Sequence, residues 1–147
     1  MKVIVARITN GQIKVAEETV SSIAKGIAVF IGFKKGDKPV DLSSMAEKIV
    51  NLRIFEDEAG KLAYSTIDKG YSILAIPNFT LNAVTSRGRR PSFDDSLAYT
   101  EAEKFFDAFV LALKAYGLTI EEGVFGAHMD IQLDFDGPVN IILENEK

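Results

Sequence analysis

The order of apolar and polar positions in this chain predicts short strands interrupted by two helices. Lys2-Val3-Ile4-Val5-Ala6-Arg7-Ile8-Thr9 reads as a strand rich in β-branched residues. It ends in Asn10-Gly11, a pair that favours a two-residue hairpin, and Gln12 to Glu17 alternates like a return strand with one wet face. Gly26 to Phe33 is apolar throughout, which predicts a central strand buried on both faces, followed by a polar turn from Lys34 to Lys38. Tyr71 to Ile76 reads the same way, and Pro77 closes it because proline has no N–H to give a ladder.

Helical spacing occurs twice. Leu42, Met45, Ala46, Ile49 and Leu52 form one stripe over 42–53, with Asp41 placed to cap it. Ala102, Phe105, Phe106, Phe109, Ala112, Leu113 and Tyr116 form another. Thr100 and Glu103 stand as a capping box at its start, and Gly117 stands where a left-handed residue ends a helix. Ile54-Phe55 and Lys61 to Tyr64 flank Asp57-Glu58-Ala59-Gly60 as a hairpin, while Glu121 and Glu122 read as a turn or solvent face. Residues 82–98 read as irregular. Two tail strands, about 128–135 and 139–144, are expected to join at the turn Asp136-Gly137-Pro138. The expected fold class is α+β: a mostly antiparallel, barrel-like β-sheet with two main helices.

Composition narrows the chemistry. At 147 residues the chain fits one domain spanning 1–147, since domains commonly hold about 100–150 residues. Zero cysteines exclude disulfides and thiolate nucleophiles, and a single histidine excludes a multi-histidine metal site within one chain. No metal or other cofactor is expected. No apolar run approaches the roughly 18 residues of a membrane span, and Met1 to Arg7 carries no signal-cleavage pattern, so a cytoplasmic protein without membrane partners is expected. The net charge of −4 argues against holding long duplexes by phosphate neutralisation. Arg87, Arg89 and Arg90 nevertheless fall within four residues. They are either solvated loop charges or contacts to a few phosphates.

Familiar catalytic arrangements are missing. His128 sits beside Ala127 and Met129 at the start of an expected strand, where a surface or structural histidine fits best, and no glycine loop has a P-loop ending. Two segments stand out. Pro77-Asn78-Phe79-Thr80-Leu81 leaves a buried strand, where freed backbone N–H groups can point at a substrate oxygen; the plain alternative is a strand end with a satisfied threonine. Asp136-Gly137-Pro138-Val139-Asn140 is, by itself, a turn.

Taken in order, these segments resemble one family. Phe79-Thr80-Leu81 at a strand end resembles the Ser-Gln-Phe-Thr-Leu signature of the D-aminoacyl-tRNA deacylases, and Gly137-Pro138-Val139 is similar to their C-terminal Gly-Pro motif. Arg7, Asn51-Leu52-Arg53-Ile54-Phe55, Arg90-Pro91-Ser92-Phe93 and Phe125-Gly126-Ala127 with Met129 extend the likeness over nearly the whole chain. The resemblance implies a homodimer that hydrolyses the ester joining a D-amino acid, or glycine, to the 3′ end of tRNA. Gly137 and Pro138, in a cis peptide, would enter the partner's site as a chiral filter. Arg7 would orient that motif's carbonyls. Phe79 and Thr80 would supply backbone donors at the ester, with Pro77 and Asn78 at the pocket entrance, and Phe125 and Met129 would wall the terminal adenosine. Two departures bear on specificity: Pro77-Asn78 stands where the family usually has Ser-Gln, and Asn140 where threonine usually follows Gly-Pro-Val. A deacylase shifted toward L-alanine, and a non-hydrolytic module binding the tRNA end, therefore stay open.

Overall fold

The first strand runs past the expected turn. In the computed structural model, which describes residues 1–145, β1 extends unbroken over Lys2–Val15. Asn10-Gly11 does not reverse the chain. A Cβ on Gly11 would lie 3.0 Å from Ile8 Cδ1 and from Leu133 Cδ2, so this glycine makes packing room inside the sheet. Ala16 and Glu17 make the turn instead, at φ of 50° and 68°, and the chain returns as β2, Glu18–Ile23. Long-range packing has outweighed the local preference of Asn-Gly.

β1 organises the sheet. Its first half pairs antiparallel with β3, Gly26–Gly32, and its second half with β2. Its other edge pairs with β8, Asp130–Glu144, along its length. β3 continues into β6, Ser72–Pro77, and β6 into β7, Ile120–Glu122, both in parallel. The Ser21 hydroxyl donates to the Glu122 carbonyl, which draws β2 to β7 and curls the sheet into a nearly closed barrel. Glu121 and Glu122 thus belong to a half-buried strand, not a turn. β4, Arg53–Glu56, and β5, Leu62–Ser65, form the separate hairpin that the sequence indicates.

The tail also differs from its expected form. β8 is one strand with a bulge, not two strands joined by a hairpin. Ile8 faces Phe135 and Ala6 faces Asn140, so Asp136, Gly137, Pro138 and Val139 bow out against Arg7 alone.

Both main helices begin earlier than the capping signals indicate. α1 covers Pro39–Asn51, with proline in the first turn, where its missing N–H has no intrahelical role. Lys38 is the cap, and Asp41, three residues on, accepts its N–H at 2.7 Å. α3 covers Tyr99–Lys114, so Thr100 lies inside it and Ala98 precedes it without a side-chain cap. Gly117 sits just beyond its end at φ 78°, as expected. A single turn, α2, Thr66–Lys69, lies between β5 and β6.

Two-sided burial explains the uninterrupted apolar runs. Ile27, Val29, Ile31, Ile73 and Ala75 pack with Ile49, Phe106, Phe109 and Leu113 of α1 and α3. The alternate residues Ala28, Leu74 and Ile76 turn inward to Ala6, Ile8, Ile13 and Ile23. The Met1 ammonium is buried against Asp37 Oδ1 at 2.5 Å, and Asp37 Oδ2 accepts the Lys34 N–H.

Candidate active site

Beyond Pro77 the chain bends. The Asn78 N–H donates to the Ile31 carbonyl at 2.8 Å, prolonging the β3–β6 pairing by one rung. The chain then enters a single 3₁₀ turn, Phe79–Asn82. The opening N–H groups of such a turn, those of Phe79 and Thr80, have no acceptor within it. Gly32 lets the bend settle on β3: a Cβ there would lie 2.7 Å from the Asn78 carbonyl oxygen. Buried Asn82 then donates to the Phe33 carbonyl at 2.8 Å, fixing the turn to the end of β3. The Thr80 hydroxyl donates to the Asn78 side-chain oxygen, not to a base. His128 is a surface histidine as expected, its side chain 94% exposed and 3.8 Å from Asp130.

Beside the bend opens a pocket of about 310 Å³, set among the ends of β3 and β6, the segment before α3, the first turn of α3, and Phe125-Gly126. Pro77, Asn78, Phe79 and Phe125 line it, as do Ser96, Leu97 and Tyr99, which the sequence pattern did not single out. Two aromatic rings stand at its margin: Phe79, 60% exposed, and Tyr99, 58% exposed. Each is propped edge-on by a second ring, Phe79 by Phe93 and Tyr99 by Phe125, at 5.0 and 5.1 Å between centroids. Met129 does not line the pocket: it packs against the inner cluster that holds Ile13 and Leu74, and a Cβ on Gly123 would meet both its sulfur and the Pro77 ring.

The Gly137-Pro138 corner does not line this pocket. Its peptide bond is cis, and Gly137 adopts φ 135°, a conformation that L side chains rarely take. A Cβ there would stand 2.8 Å from the Val139 nitrogen and 3.3 Å from Arg7 Nη2. Arg7, 5% exposed, reaches under the bulge. Its Nη1 donates to the Ile54 carbonyl at 2.8 Å and its Nε to the Asp136 carbonyl at 3.1 Å. The carboxylates of Asp136 and Glu56 flank it at 3.3 and 3.4 Å. Arg7 therefore grips the residue before the Gly-Pro pair and ties it to β4. Of its hydrogen bonds, the one that reaches the corner goes to the Asp136 carbonyl and the others to Ile54 and Glu56; none goes to the Gly137 or Pro138 carbonyl. Arg7, Asp136 and Gly137 border a second, polar hollow of about 410 Å³ with Lys25 and Lys69. Within one chain the corner and the bend are thus separate features.

Arg87, Arg89 and Arg90 are exposed on a loop closed by mutual backbone hydrogen bonds between Val84 and Ser92, 2.8 and 3.0 Å long. Among the described residues none of the three forms an ion pair. Phe93, just past the loop, is the ring that props Phe79, so the basic loop emerges at the pocket's margin.

The solved structure of a probable eukaryotic D-amino acid tRNA deacylase superposes with a TM-score of 0.84 over 97% of both chains at 16% identity, which shows a common fold. That of a c-Myc DNA unwinding element binding protein superposes with a TM-score of 0.93 over 100% of both chains at 38% identity. The model of the D-Tyr-tRNA(Tyr) deacylase family matches residues 4–144, and this chain belongs to that family. The D-aminoacyl-tRNA deacylases of Clostridium perfringens (strain SM101 / Type A) and Thermosipho africanus (strain TCF52B) are 44% and 41% identical to it across all 147 residues, covering 99% of each relative.

Proposed function

We propose that this protein hydrolyses the ester between a D-amino acid, or glycine, and the 3′ end of tRNA, a proofreading step in translation carried out in the cytoplasm. The observation that carries the reading is the bend at Phe79 and Thr80, whose unengaged backbone donors adjoin an apolar pocket in a chain of this family. Those N–H groups stabilise the oxyanion as water adds to the ester carbonyl. The carbon–oxygen ester bond then breaks, the ribose 3′-oxygen takes up a proton, and free amino acid and tRNA result. An aminoacyl ester is already activated, so positioning and oxyanion stabilisation suffice without a strong protein base. The neighbouring ribose 2′-hydroxyl assists the water. On this reading the Thr80 hydroxyl is not the nucleophile, which is supported by its donating to the Asn78 side-chain oxygen and not to a base.

Handedness is sorted by exclusion. On this reading two copies of the chain associate, and Gly137-Pro138 of each enters the other's site. Support comes from its position on a bulge anchored by buried Arg7, away from the pocket of its own protomer. A stiff main-chain corner leaves no space for an L side chain, which is rejection by clash. Phe79 and Arg7 favour D-specificity over the L-alanine alternative that Pro77 raises. Arg87, Arg89 and Arg90 meet phosphates near the acceptor end.

Hydrolysis of D-Tyr-tRNA, Gly-tRNA and L-Ala-tRNA, compared side by side, tests the reading. The first two are expected to turn over and the third to persist. Turnover of L-Ala-tRNA alone, or tight binding of charged tRNA without hydrolysis, would overturn it.

A further inference from the structure

We infer that Asn82 is a positioning residue for ester hydrolysis: its side-chain amide holds the Phe79 and Thr80 N–H groups where the oxyanion forms. The inference rests on the deacylase reading, in which the ester lies at the bend. Asn82 does not line the pocket and acts from behind it. A single 3₁₀ turn has little rigidity of its own. Two hydrogen bonds that brace this one, from the Leu81 N–H to the Asn78 carbonyl and from the Ala83 N–H to the Thr80 carbonyl, are 3.4 and 3.1 Å long. Phe79 and Thr80 are exposed, and Asn82 is the turn's one buried residue.

The amide Nδ2 of Asn82 donates to the Phe33 carbonyl at 2.8 Å, in a bond shielded from water. That carbonyl also accepts the Leu97 N–H at 3.1 Å. The bend and Leu97, a residue of the pocket wall, are therefore both set from one atom just past β3. Gly32 leaves the space, since a Cβ there would stand 2.9 Å from Asn82 Nδ2. A carbonyl only accepts, so residue 82 must donate; the carboxylate of aspartate, similar in size, would be repelled. Donor placement matters because a displacement of about 1 Å at a reacting centre can cost about 10²-fold in rate. Loss of the amide does not strand the Phe33 carbonyl, which keeps Leu97, so the fold is expected to survive it.

The test measures D-Tyr-tRNA hydrolysis by the wild type, Asn82→Ala and Asn82→Asp, each with and without Thr80→Pro. Either change at 82 is expected to lower kcat about 10–100-fold with KM held within about twofold. The thermal unfolding midpoint falls by no more than about 6 °C. Added to Thr80→Pro, which already removes one of the two donors, the same change costs at least about threefold less than it does alone. Backbone ¹⁵N order parameters at Phe79 and Thr80 fall in both variants. A kcat within about twofold of wild type, or losses at 82 and 80 that simply multiply, would overturn the inference. A wild type that hydrolyses no D-ester would sink the deacylase reading instead. Order parameters that still fall would then uphold Asn82 as the residue that sets the bend, and unchanged ones would overturn it.

Discussion

At the scale of single residues, the question at Thr80 is which of its groups matters. Its hydroxyl is tied to Asn78, while its N–H opens a turn with no acceptor there. Thr80→Ala keeps the N–H and is expected to keep turnover within about tenfold of wild type, whereas losing a true nucleophile typically costs far more, about 10⁴-fold or beyond. Thr80→Pro removes the N–H and is expected to cost about 10²–10³-fold in kcat, the range for one oxyanion donor. Circular dichroism checks that both remain folded. Gly137→Ala is a different kind of change. Its Cβ meets backbone 2.8 Å away in a conformation unfavourable to alanine, so the corner must shift, at about 1–3 kcal/mol of strain. D-ester turnover should fall at least tenfold, as single-turnover kinetics would show, and an unchanged rate would remove Gly137 from the filter. None of these distinctions could be read from residue identity. The Phe-Thr-Leu and Gly-Pro segments were visible through their resemblance to a family, but the partner of the Thr80 hydroxyl depends on a bend that exists only once β6 has paired with β3.

At the scale of elements, the strongest local signal misled for a reason the packing makes plain. Asn10-Gly11 favours a turn, yet Gly11 lies under Ile8, Leu133 and Leu74, where only glycine leaves space. Asn10→Thr, at an exposed strand position, is expected to change stability by no more than about 0.5 kcal/mol in urea unfolding. Gly11→Ala overpacks the barrel and should cost about 1–3 kcal/mol. Were Asn10-Gly11 a turn, Asn10→Thr would be damaging as well, because such a turn needs positive φ at both positions. The buried strands 26–32 and 72–77, the hairpin of β4 and β5 and the two main helices were legible, because two-sided burial and helical periodicity are local patterns. β2, β7 and the parallel pairing were not, since partner choice is made by residues distant in sequence. Ser96 and Tyr99 escaped notice for the same reason: a pocket wall assembled from strand ends, a loop and a helix start has no spacing of its own.

At the scale of the molecule, a net charge of −4 coexists with a basic loop beside the pocket. Replacing Arg87, Arg89 and Arg90 together by alanine is expected to weaken tRNA binding and flatten its salt dependence, by about 0.7 for each single-strand phosphate that the loop no longer neutralises. D/L preference should stay intact. A change of preference would place the loop inside the filter. The larger claim is that each site is shared: bend from one copy, corner from the other. Co-expression of Thr80→Pro with Gly137→Ala tests it most directly. Each variant alone is expected to be nearly inactive. In a mixed dimer one site pairs an intact bend with an intact corner, so random assortment should restore about a quarter of wild-type D-ester hydrolysis. No restoration, with mixed dimers present by native mass spectrometry, would contradict a site built from two chains.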